Sequence, residues 1–344
     1  MNQKFMVFLL VTLGLLCSYS TDTMAQTAGK VLPDQIKYDT KKKDGWFPDL
    51  NASFNFSFAQ SDGVVGVQDG TTLSLGLQLN GALTFAKSTH EWRSTLKIVH
   101  TQTKLPTIDP FVKSADNFDL ETTYTYRLPK VKWFGFFVSL RLETPLLPGN
   151  LVRADAGTVQ IKEVGAADYV SYADKPTLNA QESLQLTNAF APLMFKQSLG
   201  LDFLPYEKKA FRINLKAGVG ALQAFTQSGL RVDSIAENII KLGRLQDYVQ
   251  IGAEARLNIN GRLWKKLLTY SLSTGVMLPF YSSVTNDKSI PELINFDMAF
   301  KLGLQVFKWL AINYSLTVVH APLIVPEKFQ ITNNLVVALT WDIL

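Results

Sequence analysis

Hydrophobic and polar residues alternate with a period of two along residues 73–85, LSLGLQLNGALTF. Leucine and phenylalanine occupy one set of alternate positions, and polar residues occupy most of the other set. Successive side chains of a β-strand point to opposite faces, so the segment predicts a strand with one apolar and one polar face. It is longer than an ordinary strand of about five or six residues. It is also long enough to cross an outer membrane, for which a strand needs about 9 to 11 residues.

The same alternation recurs along the chain and predicts twelve strands. In LINFDMAFKLGLQV, for example, Phe296 and Phe300 share one face, and Asp297 and Lys301 share the other. The predicted strands are 50–58, 73–85, 92–101, 118–128, 134–144, 195–204, 211–222, 249–260, 268–280, 294–306, 310–319 and 333–343.

The connections between these strands alternate between short and long. Short links such as AKSTHE and FKW follow the even-numbered strands, whereas long connections, including 102–117 and 145–194, follow the odd-numbered ones. Short turns on one rim and long loops on the other are typical of bacterial outer-membrane barrels. The fold predicted is therefore all-β: a twelve-stranded antiparallel transmembrane β-barrel with short periplasmic turns and long extracellular loops.

The tryptophans support this interpretation over a soluble β-sandwich. Aromatic residues favour the interface between membrane and water. All six lie at or near strand ends on the short-turn rim, namely Trp46, Trp92, Trp133, Trp264, Trp309 and Trp341. A soluble sandwich gives no reason to collect them at one end.

The N-terminal residues 1–25 have the features of a secretory signal peptide: Lys4, about a dozen apolar residues, and a cleavage site at Thr23-Met24-Ala25 before Gln26. The apolar run is too short for a retained anchor helix. Residues 26–46 then form a polar periplasmic arm, and 47–344 form the barrel. Cys17 is the only cysteine of the chain and lies in the predicted signal, which excludes a disulfide framework.

The polar set of alternate positions would line the barrel interior. It carries nine basic and seven acidic residues, which must pair or stay hydrated. Glycines recur there too and predict strong curvature or space near the wall. The lining residues that we predict are Arg93, Lys97, Glu121, Arg127, Arg141, Glu143, Arg212, Lys216, Glu254, Arg256, Asp297 and Lys301.

Twelve strands lie between small barrels, whose interiors are filled, and large barrels, which are open. We therefore interpret the chain as a porin-like outer-membrane barrel for passage or binding of small polar solutes. The alternative is a sealed structural or surface-interaction barrel that acts through its extracellular loops. The expected partners are the outer-membrane bilayer, a small polar solute and the barrel-assembly machinery. The net charge of +5 is not clustered as in a nucleic-acid-binding face, apart from the lysines at 41–43, and no cofactor is predicted.

Two long connections contain patterns of their own. Residues 145–194 are too many for a passive turn and predict a lid or constriction, although a plug or a surface hairpin would have the same sequence features. Within 232–248, four apolar residues lie at roughly helical spacing, namely Ile235, Ile239, Ile240 and Leu242. They indicate either a short helix over the mouth or ordinary loop packing.

Catalytic motifs are absent from the sequence: there is no phosphate-binding glycine loop, nucleophile elbow or His-Glu-x-x-His helix. The spacing of the histidines suits no metal site. A third hypothesis is a lipid hydrolase, in which His100 and Ser114 would resemble the base and nucleophile of outer-membrane phospholipase. No orienting group is evident for this pair. The Asp-Gly pairs at 62–63 and 69–70 indicate calcium ligands or, more simply, turns. We predict no enzyme activity and no metal.

Residues 47–344 resemble bacterial outer-membrane β-barrels as a class. More narrowly, EWRSTLKIVHTQTK followed by FVKSADNFDLETTYTYRL is similar to an uncharacterised barrel family, domain of unknown function 3078, in the spacing of a tryptophan, a lysine and an aspartate before a strand. This narrower resemblance covers about residues 47–145. The family has no assigned activity, so the resemblance implies a barrel fold and no functional residues.

Overall fold

The computed structural model describes residues 44–61, 70–208, 210–236, 238–264, 267–285, 289–307, 309–325 and 329–342. Within these residues, no helix has both the length and the apolar character needed to cross a membrane. The predicted signal peptide and almost all of the arm lie outside the described residues. The prediction of an all-β fold is confirmed.

Twelve long strands form one antiparallel sheet in the described part of the chain. They are β1 (Gly45–Ser61), β2 (Gly70–Lys87), β3 (His90–Leu105), β4 (Ile108–Arg127), β5 (Phe134–Thr144), β11 (Leu193–Lys208), β12 (Phe211–Phe225), β15 (Tyr248–Leu263), β16 (Leu268–Ser282), β17 (Asn295–Phe307), β18 (Leu310–His320) and β19 (Gln330–Asp342). Strand β1 pairs with both β2 and β19, so the sheet closes into a barrel without a free edge.

The distribution of burial in the barrel is the reverse of that in a soluble protein. Large apolar side chains such as Leu77 and Phe280 are 62% and 63% exposed on the outer face. Polar side chains such as Asp202, Gln250 and Ser315 are at most 2% exposed and belong to the inward set of positions. The alternation seen in the sequence therefore separates an apolar exterior from a polar interior.

Five tryptophan side chains are exposed at the short-turn rim, those of Trp46, Trp92, Trp133, Trp264 and Trp309, and some contact other aromatic rings there. Trp46 lies with its ring centroid 4.8 Å from Phe85 and 6.1 Å from Trp92. Phe307 stacks on Trp309 at 5.5 Å. These contacts give this rim an aromatic outer edge.

Most of the strands extend beyond their predicted bounds at one end or both, and one predicted loop is wrong. Residues 102–117 were expected to be a long loop, but β3 continues to Leu105 and β4 begins at Ile108, so a tight turn joins them. Both strands run past the apolar band, where polar side chains such as Gln102 and Lys113 pair in register without alternation.

Seven short strands lie in the long connections: β6 (Gly149–Val152), β7 (Gly157–Lys162), β8 (Val170–Ser171), β9 (Thr177–Leu178), β10 (Ser183–Thr187), β13 (Leu230–Ala236) and β14 (Ile239–Arg244). The helix considered for 232–248 is wrong, because this segment forms the β13–β14 hairpin. Strand β14 also pairs in parallel with β7.

We refer to residues 149–187 and 230–244 together as the loop subdomain. It has an apolar core of its own, in which Val159, Leu178, Ile240 and Leu242 are fully buried. The connection 145–194 is therefore an ordered sheet structure with its own hydrophobic stabilisation.

Candidate functional site in the barrel interior

The barrel interior contains a set of ion pairs that we call the charge network. Its members are Asp119, Glu121, Arg127, Arg141, Glu143, Lys196, Asp202, Glu254, Arg256 and Asp297. Each charged side chain in the network has a side chain of opposite charge within 4.0 Å. Such pairing satisfies the requirement that enclosed charges be compensated.

Arg141 on β5 connects two carboxylates. Its Nε and Nη2 atoms donate hydrogen bonds to Oδ1 and Oδ2 of Asp119 at 2.9 and 2.7 Å. Its Nη2 atom also lies 3.1 Å from Oε2 of Glu143. The two-bond geometry holds the planar guanidinium in one orientation across the wall.

Glycines in β12 allow a second cluster to form across that strand. Lys196 Nζ on β11 lies 2.9 Å from Glu254 Oε1 on β15, and the Ser198 hydroxyl donates to Glu254 Oε2 at 2.6 Å. The register places Gly220 opposite Ser198 and Gly218 opposite Glu254. A Cβ atom on Gly220 would lie 2.5 Å from Glu254 Oε2, so a larger residue there would displace this carboxylate.

At the short-turn end of the interior, two charged side chains also pair across an intervening strand at a glycine position. Arg127 Nη2 on β4 lies 2.8 Å from Asp202 Oδ2 on β11, and both side chains are buried. The strand between them, β5, places Gly135 opposite both residues. Asn214 Nδ2 donates to the other carboxylate oxygen, Oδ1, at 2.6 Å.

Arg256 on β15 contacts carboxylates on two other strands of the wall. Its Nη1 atom lies 3.8 Å from Glu121 Oε2 on β4, from which β15 is separated by three strands. Its Nη2 atom lies 4.0 Å from Asp297 Oδ1, and Gly275 is opposite both residues in the register. The guanidinium therefore connects carboxylates of β4 and β17.

The paired side chains of β4, β5, β11 and β15 lie close together on one part of the inner wall. A cavity of about 10 Å³ remains between Glu121, Ser139, Arg141, Lys196, Ser198, Glu254 and Arg256. This volume is close to the minimum that one water molecule needs. The space enclosed by these seven side chains therefore holds no more than about one water molecule.

The remaining predicted lining residues are also on inward positions but contribute differently. Lys97 is buried and lies opposite Asp119 in the register. Lys216 Nζ lies 5.0 Å from the centre of the Phe137 ring, and Arg212 Nε lies 3.5 Å from Glu207 Oε1 near the short-turn rim. Arg93 and Lys301 are half-buried.

The interior changes from charged to apolar towards the long loops. We call this apolar cluster the cap: Leu222, Ala224, Tyr248 and Met277 from the wall, and Leu293 and Leu323 from the loops. All six are buried. Sequence reasoning missed the cap, although apolar residues at the ends of the otherwise polar set of positions were a signal of it.

Hydrogen bonds hold the two loop segments of the cap in place. Leu293 ends a 3-10 helical turn, Ile290–Leu293, and Asn295 Nδ2 donates both to the Leu293 carbonyl at 3.3 Å and to Gln250 Oε1 at 2.8 Å. Arg231 Nη1 in the loop subdomain donates to the Ile324 carbonyl at 3.4 Å, next to Leu323. The cap is therefore connected both to the wall and to the loop subdomain.

The residues of the hydrolase hypothesis have separate partners. His100 Nδ1 lies 3.7 Å from Asp116 Oδ1. The Ser114 hydroxyl accepts a hydrogen bond from Thr103 Oγ1 at 2.9 Å and donates to the Thr101 carbonyl at 3.3 Å. These contacts do not form the expected base and nucleophile pair.

The described residues include no cluster of three histidine, cysteine or acidic side chains arranged to hold a metal ion. Of the Asp-Gly pairs considered as calcium ligands, only Gly70 is described, and both aspartates lie outside the described residues.

No protein-family model matches the chain, and no curated protein matches it either. The resemblance to domain of unknown function 3078 therefore stays a prediction. Solved structures similar to the chain are bacterial outer-membrane barrels. An outer-membrane channel from Pseudomonas putida F1 has 8% identity and a TM-score of 0.41, over 90% of this chain and 100% of that one.

Two further solved structures are similar at the same low level. The translocator domain of the autotransporter NalP from Neisseria meningitidis has 8% identity and a TM-score of 0.37, over 88% of this chain and 90% of that one. The toluene transporter TodX from Pseudomonas putida has 9% identity and a TM-score of 0.34, over 88% and 90%. Similarity at this level assigns no family and no activity to the present chain.

Proposed function

We propose that the chain is a bacterial outer-membrane barrel that conducts small polar solutes through a gated interior, and that the conformation described is its closed state. In this proposal residues 1–25 direct export, 26–46 lie in the periplasm, and the short turns face the periplasm. The outer-membrane bilayer is the partner of the exterior, and the barrel-assembly machinery inserts the chain.

The observation that carries the proposal is the separation of an exposed apolar exterior from an enclosed charged interior. Exposed side chains such as Leu199, at 62% exposure, would be unfavourable in water over a whole barrel surface but are favourable in hydrocarbon. A closed sheet also leaves no unpaired backbone edge in the bilayer.

The charge network supports conduction more than a purely structural interior. Replacing buried ion pairs by apolar residues of similar size is often neutral or stabilising, so stability alone does not require these ions. Ionisable side chains that are enclosed within a membrane typically mark a pathway for ions or solutes. We propose the predicted lining residues, Arg141, Glu254 and Arg256 foremost, as the selectivity-determining part of that pathway.

A second candidate is a sealed barrel that acts through the loop subdomain. The small volume, about 10 Å³, of the cavity between the charged side chains and the apolar core of the loop subdomain favour it. In this case the charge network would only hold the strands together, and partner binding would take place on the extracellular side.

Planar-bilayer recording of the purified full-length protein tests the proposal. We expect brief single-channel openings, and we expect Arg256→Glu to shift the reversal potential in a salt gradient towards cation selectivity, because it replaces a central positive charge by a negative one. Lys130→Glu makes the same charge change at an exposed turn position and should leave selectivity nearly unchanged. If neither the wild-type protein nor the cap variants Leu293→Ala and Leu323→Ala give single-channel currents, conduction is contradicted and the sealed barrel is favoured.

A further inference from the structure

Two polar groups next to the cap are buried without a hydrogen-bond partner among the described residues. They are the hydroxyl of Tyr248 and the Nε2 amide nitrogen of Gln250. The two residues are only 3% and 0% exposed. A buried polar group that makes no hydrogen bond is unfavourable, so two of them at one place require an explanation.

Both groups belong to one small region between the cap and the charge network. Tyr248 and Gln250 lie two residues apart on β15, so their side chains point to the same inward face. The Oε1 atom of Gln250 is already bonded to Asn295, which leaves its Nε2 atom as a donor. A hydroxyl and an amide donor thus lie beside the apolar side chains of the cap.

The chemistry of the cap restricts what these groups can bind. Its six buried side chains carry no charge, and five of them are hydrocarbon or thioether groups. A charged solute would lose its hydration there without an ionic partner, which is strongly unfavourable. An uncharged solute with an apolar body would have no ionic hydration to lose, and its apolar body would contact the apolar side chains of the cap.

We infer that the cap is a binding site for a small uncharged solute that combines an apolar body with a hydrogen-bonding oxygen. The oxygen accepts from Gln250 Nε2 and exchanges a hydrogen bond with the Tyr248 hydroxyl. The apolar body takes the place of Leu293 and Leu323 against Leu222 and Met277. This inference rests on the proposed function, in which the cap is part of the solute pathway, and it narrows the class of solute.

Equilibrium dialysis of benzyl alcohol against the full-length protein in detergent tests the site, with protein-free micelles as the blank. Tyr248→Phe and Gln250→Leu each remove the polar group and keep most of the side-chain volume. We expect each to weaken binding about 3- to 10-fold, the range for one net hydrogen bond. Benzoate, which has the same ring but a charge, should bind at least tenfold more weakly than benzyl alcohol.

Tyr206→Phe is the matched control, because it removes the same hydroxyl from a residue that is 40% exposed on β11. Benzyl alcohol should bind this variant as it binds the wild type. Equal binding to the wild type, Tyr248→Phe and Gln250→Leu, or benzoate binding as tight as that of benzyl alcohol, would overturn the inference.

The binding measurement does not depend on conduction, so the two proposals can fail separately. If the protein conducts ions but does not bind benzyl alcohol, the proposed cap site is wrong and the proposed function stands. If benzyl alcohol binds the wild type more tightly than Tyr248→Phe and Gln250→Leu but the protein never conducts, the cap site stands and the proposed conduction is wrong.

Discussion

Arg127 and Asp202 form an ion pair of 2.8 Å although an entire strand, β5, lies between their own strands. They meet over Gly135, which is opposite both in the register and has no side chain to separate them. Glu254 with Ser198, and Arg256 with Asp297, are also placed across a strand at glycine positions. Interior glycines therefore provide space for charges to pair between strands that are not neighbours.

Gly135→Ala should destabilise the barrel. A Cβ atom at this position would lie 2.5 Å from the Tyr126 carbonyl oxygen, which is backbone and cannot move freely. We expect a loss of about 1 to 3 kcal/mol, as for overpacking in a core, measured by urea unfolding in micelles. Gly81→Ala is the control, because its nearest contact would be an ordinary 3.5 Å to Leu50. Equal stability of the two variants would contradict the argument.

Removing one partner of the Arg127–Asp202 pair should lower the free energy of unfolding more than removing both partners does. Asp202→Leu leaves a buried guanidinium without its carboxylate and should lower the free energy of unfolding by about 3 to 5 kcal/mol. Adding Arg127→Met should recover most of that loss, because no buried charge then remains unpaired. The same unfolding assay, run as a double-mutant cycle, measures the difference. Additive losses would show that the two side chains are not coupled.

Smaller side chains in the cap should raise the open probability of the conduit. Leu293→Ala and Leu323→Ala each remove apolar contacts that keep water out, and hydrophobic constrictions close pores by excluding water. We expect more frequent openings in bilayer recordings for both variants. Leu278→Ala, on the outer face of β16 and 48% exposed, should behave as the wild type. Unchanged gating in both cap variants would place the gate elsewhere.

The loop subdomain should loosen in acid. Nε and Nη2 of Arg244 donate to Oε2 and Oε1 of Glu163 at 2.6 and 3.0 Å, and these hydrogen bonds lower the pKa of Glu163 from its usual value of 4.5. Because the folded-state pKa is the lower one, the stabilisation is complete above pH 4.5 and is lost as pH falls through the folded-state pKa.

Hydrogen exchange of the β7 and β14 amides checks this prediction. The difference between the wild type and Glu163→Gln, measured at matched pH, should be present at pH 6 and should shrink below about pH 4.5. Comparison at matched pH removes the pH dependence of the intrinsic exchange rate. A difference that does not change over this range would contradict a role for the Glu163 carboxylate.

The strand positions were predictable because alternation is a local property. A strand that separates an apolar from a polar environment must alternate residue by residue, as residues 73–85 do within β2. The predicted strand and loop bounds were wrong where a segment no longer separates an apolar from a polar environment. Beyond the apolar band, β3 and β4 continue as a hairpin through residues that do not alternate, and the isoleucines at 235 and 239 fit a strand of the loop subdomain as well as a helix.

The sequence by itself determined which residues face inward, since the inward set follows from position along each strand. Only the tertiary structure decided which charges pair, and that apolar side chains of the wall and of two loop segments come together in the cap. Arg256 and Glu121, or Leu222 and Leu323, are brought together by closure of the sheet and by loop packing. Contacts between residues so distant along the chain leave no local pattern, because they depend on the register and curvature of the whole barrel.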